Sequence, residues 1–152
     1  MNTYLKVVAV LVLIFLDAFF YFNRTALAPT ITESGIKGCY VAHLAKDVYS
    51  LKISSQDGDM VEGTLVFKNF EKDSSSGTFK GTYANEILLG DYSFQSEGTY
   101  SVMQVVFKKS GNAFVRGYGE TTEGGTRFAD VNKLTYDQSY VFEPVAECAT
   151  SL

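Results

Sequence analysis

Two hydrophobic patterns divide the chain. Val7 to Leu16 is an unbroken run of ten apolar residues, and the apolar character resumes after Asp17 from Ala18 to Phe22. As a helix, Tyr4 to Phe22 would reach ~28 Å at about 1.5 Å per residue, nearly matching a bilayer core of about 30 Å. From residue 36 onward the pattern changes to short runs of β-branched and aromatic residues at a period of two, broken by Gly, Asn, Asp and Ser. Eight strands are predicted: Ile36 to Leu44, Val48 to Gln56, Met60 to Phe70, Thr78 to Asn85, Ile87 to Glu97, Thr99 to Lys109, Asn112 to Glu120 and Gln138 to Glu143.

The connections carry turn chemistry. Asp57-Gly58-Asp59, Asn85-Glu86 and Ser110-Gly111-Asn112 read as tight reversals, and Glu71 to Gly77 as a longer polar loop. Thr121 to Asp137 is the longest connection, with Gly124-Gly125 and one helical turn expected around Asp130 to Leu134. An all-β domain follows. Short loops favour an eight-stranded antiparallel up-and-down barrel, with a two-sheet β-sandwich as the alternative because it alternates in the same way.

Alternation assigns the faces. The apolar sides are Tyr40, Ala42 and Leu44; Tyr49, Leu51 and Ile53; Val61, Leu65 and Phe67; Phe79 and Tyr83; Leu88, Tyr92 and Phe94; Met103, Val105 and Phe107. The opposite sides hold Lys52, Glu62, Lys68, Lys80, Asp91 and Gln104. Gly38, Gly63, Gly81 and Gly90 recur on the inward side, where a small barrel needs room to coil.

Composition sharpens the division. The net charge of −4 gives no electrostatic footprint for nucleic acid. All 13 glycines fall beyond residue 30, in a part with 11 basic and 16 acidic groups. Three segments result: a membrane anchor or signal segment at 1–22, a polar linker at 23–35, and a β domain at 36–152. An uncleaved anchor places the N-terminus in the cytoplasm, with Lys6 at its end, and the β domain outside. The alternative is cleavage and secretion, since Ala26-Leu27-Ala28 has the small-x-small form of a signal-peptidase site, although Pro29 after it is unfavourable.

Candidate chemistry is sparse. Cys39 and Cys148 read as a disulfide pinning the C-terminal tail to the barrel seam, because first and last strands are neighbours in a closed meander. Cys39 and His43 lie four residues apart on one strand, about 13 Å, too far for a thiol dyad. Asp57-Gly58-Asp59 lacks the further oxygen ligands of a calcium loop, so no metal and no cofactor is implied. Hydrolase chemistry would need two of Asp91, Glu97, Glu120 and His43 to converge. Tyr40, Tyr83 and Tyr92 on the predicted inner faces are candidates to line a ligand cavity, or are ordinary core residues. Arg116, Tyr118 and Glu120 form the most polar concentration on the seventh strand, read either as part of a site or as a charge pair on the wet face.

The stretches EKDSSSGTFKG (Glu71 to Gly81), LLGDYSFQSEG (Leu88 to Gly98) and QVVFKKSGNAFVRGYGE (Gln104 to Glu120) resemble small exported bacterial envelope proteins and lipoproteins of unknown function. The resemblance covers roughly residues 36–120 and implies an envelope location without an activity. No lipidated Cys follows the apolar run, which leaves a helix as the means of attachment. At fold level the predicted barrel is similar to lipocalins, without their Gly-x-Trp signature, since the chain has no Trp. The expected role is binding, of a small apolar ligand or of an envelope partner protein. The alternatives are a structural or assembly protein with a solid barrel, or a hydrolase.

Overall fold

The computed structural model describes residues 35–96 and 98–148. The expected anchor at 1–22, the linker up to residue 34 and Glu97 lie outside the described residues. The domain is an eight-stranded antiparallel barrel: β1 Gly38–Leu44, β2 Asp47–Asp57, β3 Met60–Lys68, β4 Ser75–Ala84, β5 Ile87–Ser96, β6 Thr99–Ser110, β7 Ala113–Tyr118 and β8 Thr135–Val145. Each strand pairs with the next, and β8 returns to β1 through Cys39 opposite Val145 and Val41 opposite Glu143. Closure excludes the sandwich and leaves the sheet no first or last edge.

Turn residues and strand faces explain the register. Asn85 and Glu86 both hold positive φ, 51° and 64°, the signature of the two-residue hairpin whose twist suits antiparallel strands. Gly58 and Gly111 supply the same left-handed backbone in their reversals, at φ 56° and 60°. β4 begins at Ser75 rather than Thr78, because Ser75, Ser76 and Gly77 find backbone partners on β3 and the last two pair with β5 as well. β8 is longer than the alternation suggested, and its register with β7 shifts between Val115 and Gly117. The expected helical turn is a short 3-10 turn, Val131–Lys133, capped by Asp130 accepting from Asn132 N–H. Among the described residues no helix is long and apolar enough to cross a membrane.

The predicted inner faces of β1 to β6, apart from half-buried Leu44, form one core, joined by Phe114 from β7 and Phe142 from β8. Leu51, Leu65, Phe79, Phe107, Phe114 and Phe142 are completely buried. Each such side chain contributes about 1.5–3 kcal/mol through burial. Gly81 and Gly90 face one another across β4 and β5, where a Cβ on either would collide with the other's backbone. The two strands therefore pack at a spacing that only paired glycines allow, and Phe79 fills the room beside Gly90.

One end of the barrel is sealed. Ile36, just ahead of β1, is 1% exposed; its N–H donates to Gln56 Oε1 at 2.9 Å, and its carbonyl accepts from the Tyr40 hydroxyl at 2.9 Å. Cys39 and Cys148 form the expected disulfide, tying β1 to the segment just past β8 across a sequence separation of 109. A crosslink closing so long a loop removes much of the unfolded chain's freedom, ~4–5 kcal/mol in the chain-entropy description.

Candidate functional site

The opposite end is built differently, and the difference begins at β7. Only four residue pairs join β6 and β7, from Phe107 opposite Arg116 to Ser110 opposite Ala113. β6 continues to Thr99 without β7 beside it. Residues 119–134 cross this gap as a strap. Thr121 bridges Phe128, and the hairpin between them turns at Gly124-Gly125, both with positive φ. β6 holds the strap through Gln104, whose N–H donates to the Thr126 carbonyl at 2.7 Å and whose Oε1 accepts from Phe128 N–H at 3.1 Å. Arg127 also reaches Asp91 at 3.0 Å, an exposed pair of small energetic weight, about 0–1 kcal/mol. The two Gln104 bonds and the strap's own ladder therefore hold it in place.

On its other side β7 leaves register with β8. Val115 faces Val141, whereas Gly117 faces Tyr136, so β8 carries residues 137–140 as an excursion opposite Arg116. Asp137 stabilises the excursion by accepting from Ser139 N–H at 2.9 Å, which lowers its pKa below the ordinary value. The excursion ends on Tyr140, which packs against the core.

Arg116 shares a face with its register partner Phe107, a core residue, and therefore points into the barrel. Its guanidinium lies 4.4 Å from the centroid of Phe67 and 5.1 Å from that of Tyr118. Around it the rings are mutually packed: Tyr49 is edge-on to Phe67 at 5.1 Å and stacked with Tyr140 at 6.0 Å. Tyr92 is edge-on to Phe67 at 5.6 Å and stacked on Phe94 at 4.7 Å. Cation–π attraction offsets part of the desolvation of a half-buried guanidinium. Among the described residues the ion pairs are Lys80–Glu62, Arg127–Asp91 and Lys133–Asp130, and Arg116 belongs to none of them.

The tyrosines register this environment. Burial pushes Tyr49 up to about 12, helped by the Asp47 carboxylate that accepts from its hydroxyl at 3.1 Å, while Arg116 pulls the other way. Tyr92 and Tyr118 are also raised by burial, with the Arg116 cation again opposing. The cation is thus electrostatically felt by three hydroxyl groups from β2, β5 and β7.

Beside Arg116 a cavity of ≈ 130 Å³ opens in the β6–β7 gap, under the strap. Met103, Gln104, Arg116, Tyr118, Thr121 and Phe128 are among its walls. Gly117 and Gly119 also line it, and both are closely packed: a Cβ on the first would strike Val106 and Tyr136, and on the second Leu134.

The candidate residues of the sequence reading fall in several places. Tyr40 and Tyr83 are core residues, 7% and 4% exposed, each edge-on to Phe114. Tyr92 is fully buried nearer the strap end, its hydroxyl donating to Ser75 at 3.1 Å. Cys39 is held in the disulfide, so it offers His43, exposed on the same strand, no thiol. Asp91 is engaged with Arg127, and Glu120 is exposed. The trio Arg116, Tyr118 and Glu120 is divided: the first two line the cavity, and Glu120 is outside, its carbonyl accepting from Ala129 N–H in the strap. Among the described residues no group of three or more His, Cys, Asp or Glu side chains could hold a metal ion. The ring cluster of Tyr49, Phe67 and Tyr140 was not assembled from the sequence. Its available signal was the alternation Phe114, Arg116, Tyr118, which sets a cation on an otherwise apolar face.

The chain matches no family model, no curated protein and no solved structure. The barrel is therefore established by its own strand pairing.

Proposed function

We propose that the protein is a binding module of the bacterial envelope, attached by its N-terminal apolar segment and carrying a lipocalin-like barrel outside the cytoplasm. The observation that carries the binding role is the strap-covered cavity of ≈ 130 Å³ at the open β6–β7 seam. A closed meander has no topological need for such an opening, and the strap that roofs it is anchored to β6 by hydrogen bonds rather than by a second ladder. Concave sites with apolar walls and a few convergent polar groups are the usual form of small-ligand sites. Support for an exported location comes from the ten-residue run Val7 to Leu16 and from the Cys39–Cys148 bridge, since such bonds persist in oxidising compartments.

The packed core around Phe79, Phe107 and Phe142 favours the second reading, a structural or assembly protein whose solid barrel serves a partner protein. Native mass spectrometry of the full chain, purified from its own host, separates the two. A small molecule retained at one per chain is expected for the binding module. A bare chain accompanied by a stoichiometric protein partner would replace that reading with the structural one.

A further inference from the structure

Arg116 is a cation carried to the inside of a barrel on a strand whose neighbouring inward positions are Phe114 and Tyr118. A Met or Leu would continue the apolar face, and the charge brings a desolvation cost. Among the described residues no carboxylate pairs with it, and Asp47, the acidic group beside Tyr49, is already committed to the Tyr49 hydroxyl and to Phe70 N–H at 2.7 Å. Arg116 is also among the residues that line the cavity in the β6–β7 gap.

We propose that the cavity binds a small monoanion with an apolar, ring-sized body, its carboxylate or equivalent oxyanion held by Arg116 and its body by Met103, Tyr118 and Phe128. This assignment rests on the binding-module reading and names the chemical class of its ligand. Three features set that class. A guanidinium presents parallel N–H donors that match a carboxylate in a two-point contact. Tyr118 and Phe128 supply flat walls, and Met103 an adaptable one. The volume of ≈ 130 Å³ is close to that of cavities that admit benzene, about 150 Å³, so a single ring or a short branched chain fits. Gln104 is not free to select the ligand by its carbonyl oxygen, because Phe128 N–H already occupies it. Selection for charge therefore falls on Arg116.

Calorimetric titration of the purified full chain with benzoate and with its neutral isostere benzamide tests this assignment. Benzoate is expected to bind about tenfold or more tightly than benzamide, and to weaken as salt rises. Arg116→Gln should abolish the preference for benzoate over benzamide, and Arg116→Lys should restore part of it. Thermal unfolding of each variant checks that the barrel remains folded. Equal binding of both probes by the native chain and by Arg116→Gln would overturn the anionic class and leave the binding module standing. Binding of neither probe, with native mass spectrometry still detecting a retained small molecule, would overturn the size and charge class together. Absence of both would remove the binding reading itself.

Discussion

The two ends of this barrel are made from the same strands by opposite rules. At the sealed end Ile36 is tucked over the core, Tyr40 bonds back to it, and a disulfide joins the first strand to the chain beyond the last. Both backbone groups of Ile36 there are satisfied within the fold. At the strap end the β6–β7 ladder stops after four pairs, β8 steps out of register, and a cation stands among rings beside a cavity. The sealed end invests its residues in stability, whereas the strap end keeps a desolvated charge whose contribution to stability is small or unfavourable. Binding sites are commonly carried this way, on irregular segments positioned by a rigid frame.

The contrast can be broken most severely from the sealed side. Phe114→Ala removes the ring that both Tyr40 and Tyr83 abut, and should cost about 4 kcal/mol in urea unfolding, as large-to-small changes in packed cores do. A loss below about 1 kcal/mol would mean that the core is not the rigid body described above. Replacing both cysteines, as Cys39→Ser with Cys148→Ser, should cost about 4 kcal/mol while leaving benzoate affinity within twofold, because the bridge lies at the other end. A parallel loss of affinity would show that the two ends are coupled.

The smallest effect concerns pH. Tyr49 has its pKa raised from 10.0 to about 12, so the unfolded chain releases the phenolic proton first. The unfolded state then binds fewer protons than the folded one, and stability must fall as pH rises. This contribution is fully present below about pH 10 and is lost between about pH 10 and about pH 12. Tyr92 and Tyr118, raised by burial as well, act in the same direction. Denaturant melts across this window, compared with Tyr49→Phe, should show a shallower decline in the variant. Identical slopes would remove Tyr49 from the account.

How far the strands could be read in advance depended on whether alternation was clean. On β1 to β6 the inward residues, from Tyr40 and Leu51 to Val105 and Phe107, followed the period of two, because each strand buries one face and wets the other. The seam from Cys39 to Cys148 was legible for a related reason: two cysteines flanking the first and last strands of a meander have one economical way to meet. β8 was read short because its excursion at 137–140 interrupts the period, and a pattern rule has no term for residues that leave the ladder and rejoin it. Tyr40 and Tyr83 were equally plausible as cavity walls or core, since the face of a strand does not say whether the space before it is filled.

Sequence alone therefore determined the class of fold, the sidedness of six strands, the positions of the tight turns and the pairing of the cysteines. These depend on neighbours along the chain or on a simple topological consequence of them. Tertiary structure alone decided that the meander closes as a barrel rather than a sandwich, that its inner faces meet in one core, and that Arg116 faces inward beside the strap. Those outcomes depend on which distant residues arrive at the same place. Phe67, Tyr49 and Tyr92 come from three strands, and their gathering near one guanidinium has no signature in the local order of any of them.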